Sequence, residues 1–142
     1  MTIPQWALLG FALWTILVLL GTVGVYRWAR ILTGRVPLAE WRADDLTQGS
    51  EWYRRAVRAH MNCVENLPVF AAIVFCVTAA GAEGALVDWL AIGVIAARVC
   101  QTSVHLAVEQ TNAVASVRFG FFLVQVICML GLAVIAVCTA VR

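Results

Sequence analysis

Residues Pro4 to Leu32 read PQWALLGFALWTILVLLGTVGVYRWARIL, and no charged side chain occurs in them before Arg27. About 20 mainly apolar residues in a helix cross the hydrocarbon of a bilayer, and this run is long enough to do so. It does not read as a signal peptide. MTIPQW carries no basic n-region, and the apolar run continues without a small-residue cleavage site. It is therefore taken as a first membrane span.

Three more blocks have the same character, at about 51–80, 84–109 and 113–141. With 63% hydrophobic and 13% charged residues over 142 positions, the chain has the composition of an integral membrane protein. A span must satisfy its own backbone hydrogen bonds, and nothing here shows the short alternating segments of a barrel. The reading is all-α: one domain, 1–142, forming a four-helix membrane bundle with antiparallel up-down order and spans at about 4–32, 51–80, 84–109 and 113–141.

Local signals mark the ends. TGRVP after Leu32 supplies a glycine and then a proline, which stop the first helix. Leu38, Trp41 and Leu46 among charges suit a short interfacial stretch. Ser50 is placed to cap the second helix, with Glu51 at the positive end of its dipole. Pro68 falls inside that helix and frees the Val64 carbonyl, so a kink is expected beyond Glu65. A tight turn from Gly81 to Gly84 joins helices two and three.

All ten basic residues are arginine, and seven of them (Arg27, Arg30, Arg35, Arg42, Arg54, Arg55, Arg58) surround the connection between helices one and two. The positive-inside rule puts that connection in the cytoplasm and both termini outside; a bacterial inner membrane is the expected location. A basic collar beside a membrane meets anionic headgroups or an acidic substrate, and a net charge of +2 gives no case for nucleic acid. Five cysteines sit singly in apolar helices, without C-x-x-C or histidines at ligand spacing. They read as small packing residues, and no disulfide framework or metal site follows.

The charges inside the spans are ordered. Arg55, Arg58, Asn62 and Glu65 fall within roughly 80° of one another on helix two, and Arg98, Gln101, His105 and Glu109 within a similar arc on helix three. With the hairpin turn centred on Gly81 and Ala82, Glu65 is level with Arg98, Asn62 with Gln101, Arg58 with His105, and Arg54 with Glu109. Helix four adds Arg118 and Gln125 on one face, near Phe121 and Phe122. An ionisable residue in a span tends to face the protein interior with a partner, so Glu65 and Arg98 are expected to form an ion pair. Arg58, His105 and Arg118 are then left as donors in excess of acceptors. Either they bind an anionic ligand in a partly desolvated cleft, or the arginines snorkel to headgroups. His60, on the other side of helix two, reads as an interfacial residue or a contact between protomers.

Arg58, Ala59, His60, Asn62, Glu65, Asn66 and Pro68 resemble the R-A-H-x-N-x-x-E-N-x-x-P-like signature of the membrane-associated proteins in eicosanoid and glutathione metabolism. Ala97, Arg98, Val99, Gln101 and Thr102 are similar to that family's third-helix segment, and the likeness to a bacterial microsomal-type glutathione transferase covers nearly the whole chain. The resemblance implies a homotrimer of four-helix protomers. It implies glutathione as co-substrate at the cytoplasmic side between neighbouring subunits, without a metal, and a lipophilic acceptor or lipid arriving from the bilayer. It makes Arg55, Arg58, Asn62, Glu65, Arg98, Gln101 and His105 glutathione-site or supporting residues. The arginine that family members place near the start of helix four aligns closest to Ala115 here, and Arg118 lies one turn further on as the candidate catalytic residue.

Two functions are compatible with these residues. One is a membrane-bound transferase or peroxidase that conjugates or reduces lipophilic electrophiles with the glutathione thiolate. The other is a non-catalytic lipid-binding or scaffold member of the same family, which the displaced arginine favours and the Arg58, Asn62 and Glu65 set disfavours. A small multidrug exporter is a poor third, because its kind carries an essential carboxylate in helix one and none occurs here.

Overall fold

The computed structural model describes residues 1–34 and 50–141 of the chain. The expected interfacial stretch with Leu38, Trp41 and Leu46, together with Arg35, Arg42 and Arg142, lies outside the described residues. Within them the protein is all-helical, with α1 (Ile3–Leu32), α2 (Glu51–Ala79), α3 (Ala85–Ala107) and α4 (Asn112–Ala140). Each is long and apolar enough to cross a membrane.

The ends follow from local chemistry. Ser50 Oγ accepts from the Tyr53 backbone N–H at 3.3 Å, and Thr111 does the same for Val114 at 3.3 Å, so α2 and α4 both start on hydroxyl caps. The end of α2 is a full Schellman closure: Ala82 N–H donates to the Val77 carbonyl at 3.0 Å and Gly81 N–H to Thr78 at 3.1 Å. Gly81 has φ of 64°, the left-handed value this closure needs, and Gly84 enters α3 with φ of 127°. Pro68 lies inside α2, which continues as one helix to Ala79.

One feature of α1 had no signal in the apolar pattern. Leu19–Gly24 widens into a π-helix, and Val25 N–H donates to the Leu20 carbonyl. A Cβ at Gly24 would come within 3.2 Å of the Leu19 carbonyl oxygen, so glycine fits the wide turn where a larger residue would press on backbone.

The main core lies between the spans, around Phe11, Phe70, Val77, Val94 and Leu132, none more than 2% exposed. Phe11 and Phe70 meet with ring centroids 5.9 Å apart. A second cluster of Val23, Tyr53, Ala56 and Val57 ties α1 to the start of α2, and there Tyr26 stacks on Tyr53 at 4.4 Å. Arg27 and Arg30 donate to the Tyr53 and Tyr26 hydroxyls at 2.8 Å each. Leu17, Leu20, Phe75, Ile127 and Leu130 are more than half exposed, as expected of side chains that meet lipid rather than water.

The most extensive packing is between α3 and α4. It is close because two glycines sit in the seam. A Cβ at Gly93 would stand 3.0 Å from Cys128 Sγ, and one at Gly131 3.1 Å from Leu90. Rising numbers on α4 meet falling numbers on α3. We expect Gly93→Leu to force the helices apart and lower stability in detergent by about 1–3 kcal/mol, with part of the loss recovered by adding Cys128→Ala. Thermal unfolding of the four variants of that cycle checks this, and an unshifted melting point for Gly93→Leu would contradict it.

Candidate functional site

Where α2, α3 and α4 meet near the beginning of α2 and the end of α3, two adjoining cavities open, each of about 350 Å³. The first is lined by Glu51, Arg54, Arg55, Arg58, Glu109 and Gln110. Asn62, Gln101, Ala115, Arg118, Phe119 and Phe122 line the second, which Gln110 also borders. One cavity is a rim of arginines with two carboxylates. The other is a mixed polar and aromatic pocket closer to the hydrocarbon.

The levels expected from the hairpin register are present to within a turn. Cys63 Sγ and Thr102 Oγ1 meet at 3.5 Å across α2 and α3, Arg54 shares the first cavity with Glu109, and Asn62 shares the second with Gln101. His105, only 4% exposed, lies within electrostatic reach of Arg118, Arg58 and Arg55, three arginines from α2 and α4. Its Nε2 makes no hydrogen bond, and neither does Nε of Arg55 or Arg118. Among the described residues the ion pair is Arg54 with Glu51, at 3.3 Å on the exposed rim, where it contributes little to stability. Arg58 and Arg118, on adjoining cavities, are close enough for their charges to repel, and neither has a paired carboxylate among the described residues. That arrangement favours an anion.

Two expected roles change. Glu65 and Arg98 are near enough in level for the carboxylate's charge to act on Arg98, but no N···O contact within 4.0 Å joins them. Cys63 shows why. It is the residue of α2 that faces α3, and Glu65, two positions on, is turned roughly 160° around the helix and is exposed. Arg98 is instead fully buried, with its guanidinium over the Phe11 ring at 5.2 Å and Nε and Nη2 unpartnered. Hydropathy arcs gave the level correctly and the face wrongly. With no contact between the pair, Glu65→Gln and Arg98→Met are expected to change detergent stability additively, within about 0.5 kcal/mol. A larger coupling in the double-mutant cycle would show that the charges do meet, within one chain or between chains.

The second change concerns Gln101. It lines the second cavity, yet both ends of its amide are engaged with α4: Nε2 donates to the Arg118 carbonyl at 3.1 Å and Oε1 accepts from Gln125 at 3.0 Å. It has little left to offer a ligand. Asn62 is better placed, since Asn66 holds its carboxamide by the oxygen at 3.1 Å and leaves the nitrogen to donate. His60 reaches the backbone of Thr15, which makes it a contact between α1 and α2 inside the chain.

Several wall residues had no sequence signal. Gln110 belongs to a short connection without periodicity, and Phe119, rather than Phe121, lines the cavity with Phe122. Ala115 is informative. It lines the same cavity as Arg118, so an arginine one turn beyond the position it occupies in the resembling family still reaches that space.

The model of the MAPEG family matches residues 4–138, nearly the whole chain and both polar stripes. No curated protein and no solved structure matches the chain.

Proposed function

The chain belongs to the MAPEG family of integral membrane proteins, and we propose that it is a membrane-bound glutathione transferase or peroxidase acting on lipophilic electrophiles. The observation that carries this reading is the pair of adjoining cavities, with cations in excess at the rim and Arg118 beside Phe119 and Phe122 in the inner pocket.

Glutathione has two carboxylates, one ammonium group and one thiol. Arg54, Arg55 and Arg58 suit the carboxylates, and Glu51 and Glu109 on the same rim suit the ammonium. With the tripeptide anchored there, its sulfur extends into the inner pocket, where Asn62 donates and Arg118 supplies a cation to the thiolate. Lowering a thiol pKa by two units takes about 2.7 kcal/mol of preferential stabilisation, within reach of one partly desolvated arginine. The thiolate then attacks the electrophilic carbon, a C–S bond forms, and the leaving group departs with its electron pair. Phe119 and Phe122, with ring centroids 6.4 Å apart, provide the apolar wall for an acceptor that partitions from the bilayer.

Glu65 supports an assembly of several chains around this site. It is exposed on α2 roughly 20 Å past the helix start, a depth at which a carboxylate facing lipid is costly. A neighbouring chain would cover it, in keeping with a homotrimer whose glutathione sites lie between protomers on the cytoplasmic side. The test is turnover by detergent-purified protein of a lipophilic aromatic electrophile with glutathione. Conjugation well above the uncatalysed rate supports the reading. Glutathione binding without turnover of any electrophile or hydroperoxide would favour the non-catalytic alternative.

A further inference from the structure

Two glutamines face each other across α3 and α4, Gln101 at the wall of the inner cavity and Gln125 behind it. Gln125 is fully buried and Gln101 is 4% exposed. Gln125 Nε2 donates to Gln101 Oε1 at 3.0 Å and to the Phe121 carbonyl of its own helix at 3.2 Å, while Gln101 Nε2 donates to the Arg118 carbonyl at 3.1 Å. The chain of donors has one direction. Both ends are backbone carbonyls, which only accept, so each amide must turn its nitrogen towards one of them. Gln101 then presents its oxygen to Gln125.

The two bonds of Gln101, to Gln125 and to the Arg118 carbonyl, join α3 to α4, and the second ends on the backbone of the residue assigned to the thiolate. Arg118 Nε has no partner of its own, so nothing bonded at that atom aims the guanidinium. Its position follows from where the α4 backbone is held. A carbonyl inside a helix already accepts from the residue four ahead, so the Gln101 bond is an added tether that fixes the rotation and depth of α4 at Arg118. Two carboxamides in a membrane core are costly to keep where apolar side chains would pack as well. Their siting on the tether gives a reason for them.

We propose that Gln125, acting through Gln101, is a positioning residue that holds Arg118 in register with the glutathione sulfur. The proposal rests on Arg118 as the thiolate-stabilising cation. It moves Gln101 from the ligand's shell to the support of the catalytic group, and it gives a role to Gln125, which touches neither cavity's wall.

The test uses Gln101→Met, Gln125→Met and the double variant, each alone and with Arg118→Ala. Replacing one glutamine leaves its partner's buried polar atom unsatisfied. Replacing both removes the clasp cleanly and should be near neutral for stability, so the double variant keeps the test usable if a single variant fails to fold. Three quantities are measured on folded protein: the glutathione Kd, the pH midpoint of the bound thiolate's absorbance, and kcat with an aromatic electrophile. The double variant is expected to hold Kd within about threefold, raise the thiolate midpoint by about one pH unit and lower kcat about tenfold. Either single variant should give nearly the same midpoint as the double, because the two act in series. With Arg118→Ala present, the double variant should have no further effect on midpoint or kcat. A merely structural clasp would change melting temperature and leave the midpoint where it was. A double variant with the wild-type midpoint and kcat overturns the proposal while leaving the function intact. A wild-type protein that binds glutathione and never shows thiolate overturns both.

Discussion

Arg118→Ala is expected to lower turnover with an aromatic electrophile on the order of 10²-fold, while glutathione still binds. Arg118 lines the inner cavity with Asn62 and the two phenylalanines, and the rim arginines that suit the carboxylates lie in the adjoining cavity. Removing Arg118 therefore takes away charge at the proposed place of the sulfur and leaves the proposed anchoring points. The absorbance of bound thiolate should disappear with it. Arg118→Lys should recover only part of the rate, because a compact ammonium replaces a planar fork. Wild-type turnover in the alanine variant would remove Arg118 from the mechanism.

Arg58→Ala should give the opposite signature. Arg58 stands on the rim cavity within electrostatic reach of His105, and among the described residues no carboxylate is paired to it. A charge-assisted hydrogen bond to a substrate carboxylate contributes about 1.5–3 kcal/mol, so its loss should weaken glutathione binding roughly 10- to 100-fold. At saturating glutathione kcat should be nearly unchanged, because the interaction is the same in ground and transition states. Steady-state kinetics over a wide glutathione range separates the two cases. A fall in kcat with unchanged KM would put Arg58 nearer the sulfur than the cavities suggest.

Much of this architecture was legible in the sequence, because the physics that sets it is local. Apolar runs longer than a bilayer is thick, a serine before α2 and a Gly81 to Gly84 turn determine spans and ends without tertiary information. The hairpin register followed from that turn, and the Cys63 and Thr102 contact agrees with it to within a turn. What failed was rotation. An arc of polar residues says which side of a helix is polar, not which neighbour that side meets, and so Glu65 was matched to Arg98 although α2 turns Cys63 towards α3. The π-helix at Leu19–Gly24 escaped for a related reason, since one extra residue per turn leaves an all-apolar stretch looking the same. Gln101 and Gln125 were each visible as polar residues in apolar helices. Their pairing, and its end on the Arg118 carbonyl, depends on the close approach that Gly93 and Gly131 allow between α3 and α4.

The central claim is that the joined cavities hold glutathione as its thiolate. The most direct measurement is the ultraviolet difference spectrum of detergent-purified protein titrated with glutathione at neutral pH, with S-methylglutathione as the control that keeps both carboxylates and cannot ionise at sulfur. A saturable thiolate band is expected with glutathione, none with the control, and competition between the two for one site. Saturable binding of both ligands with no thiolate band from either would contradict the claim.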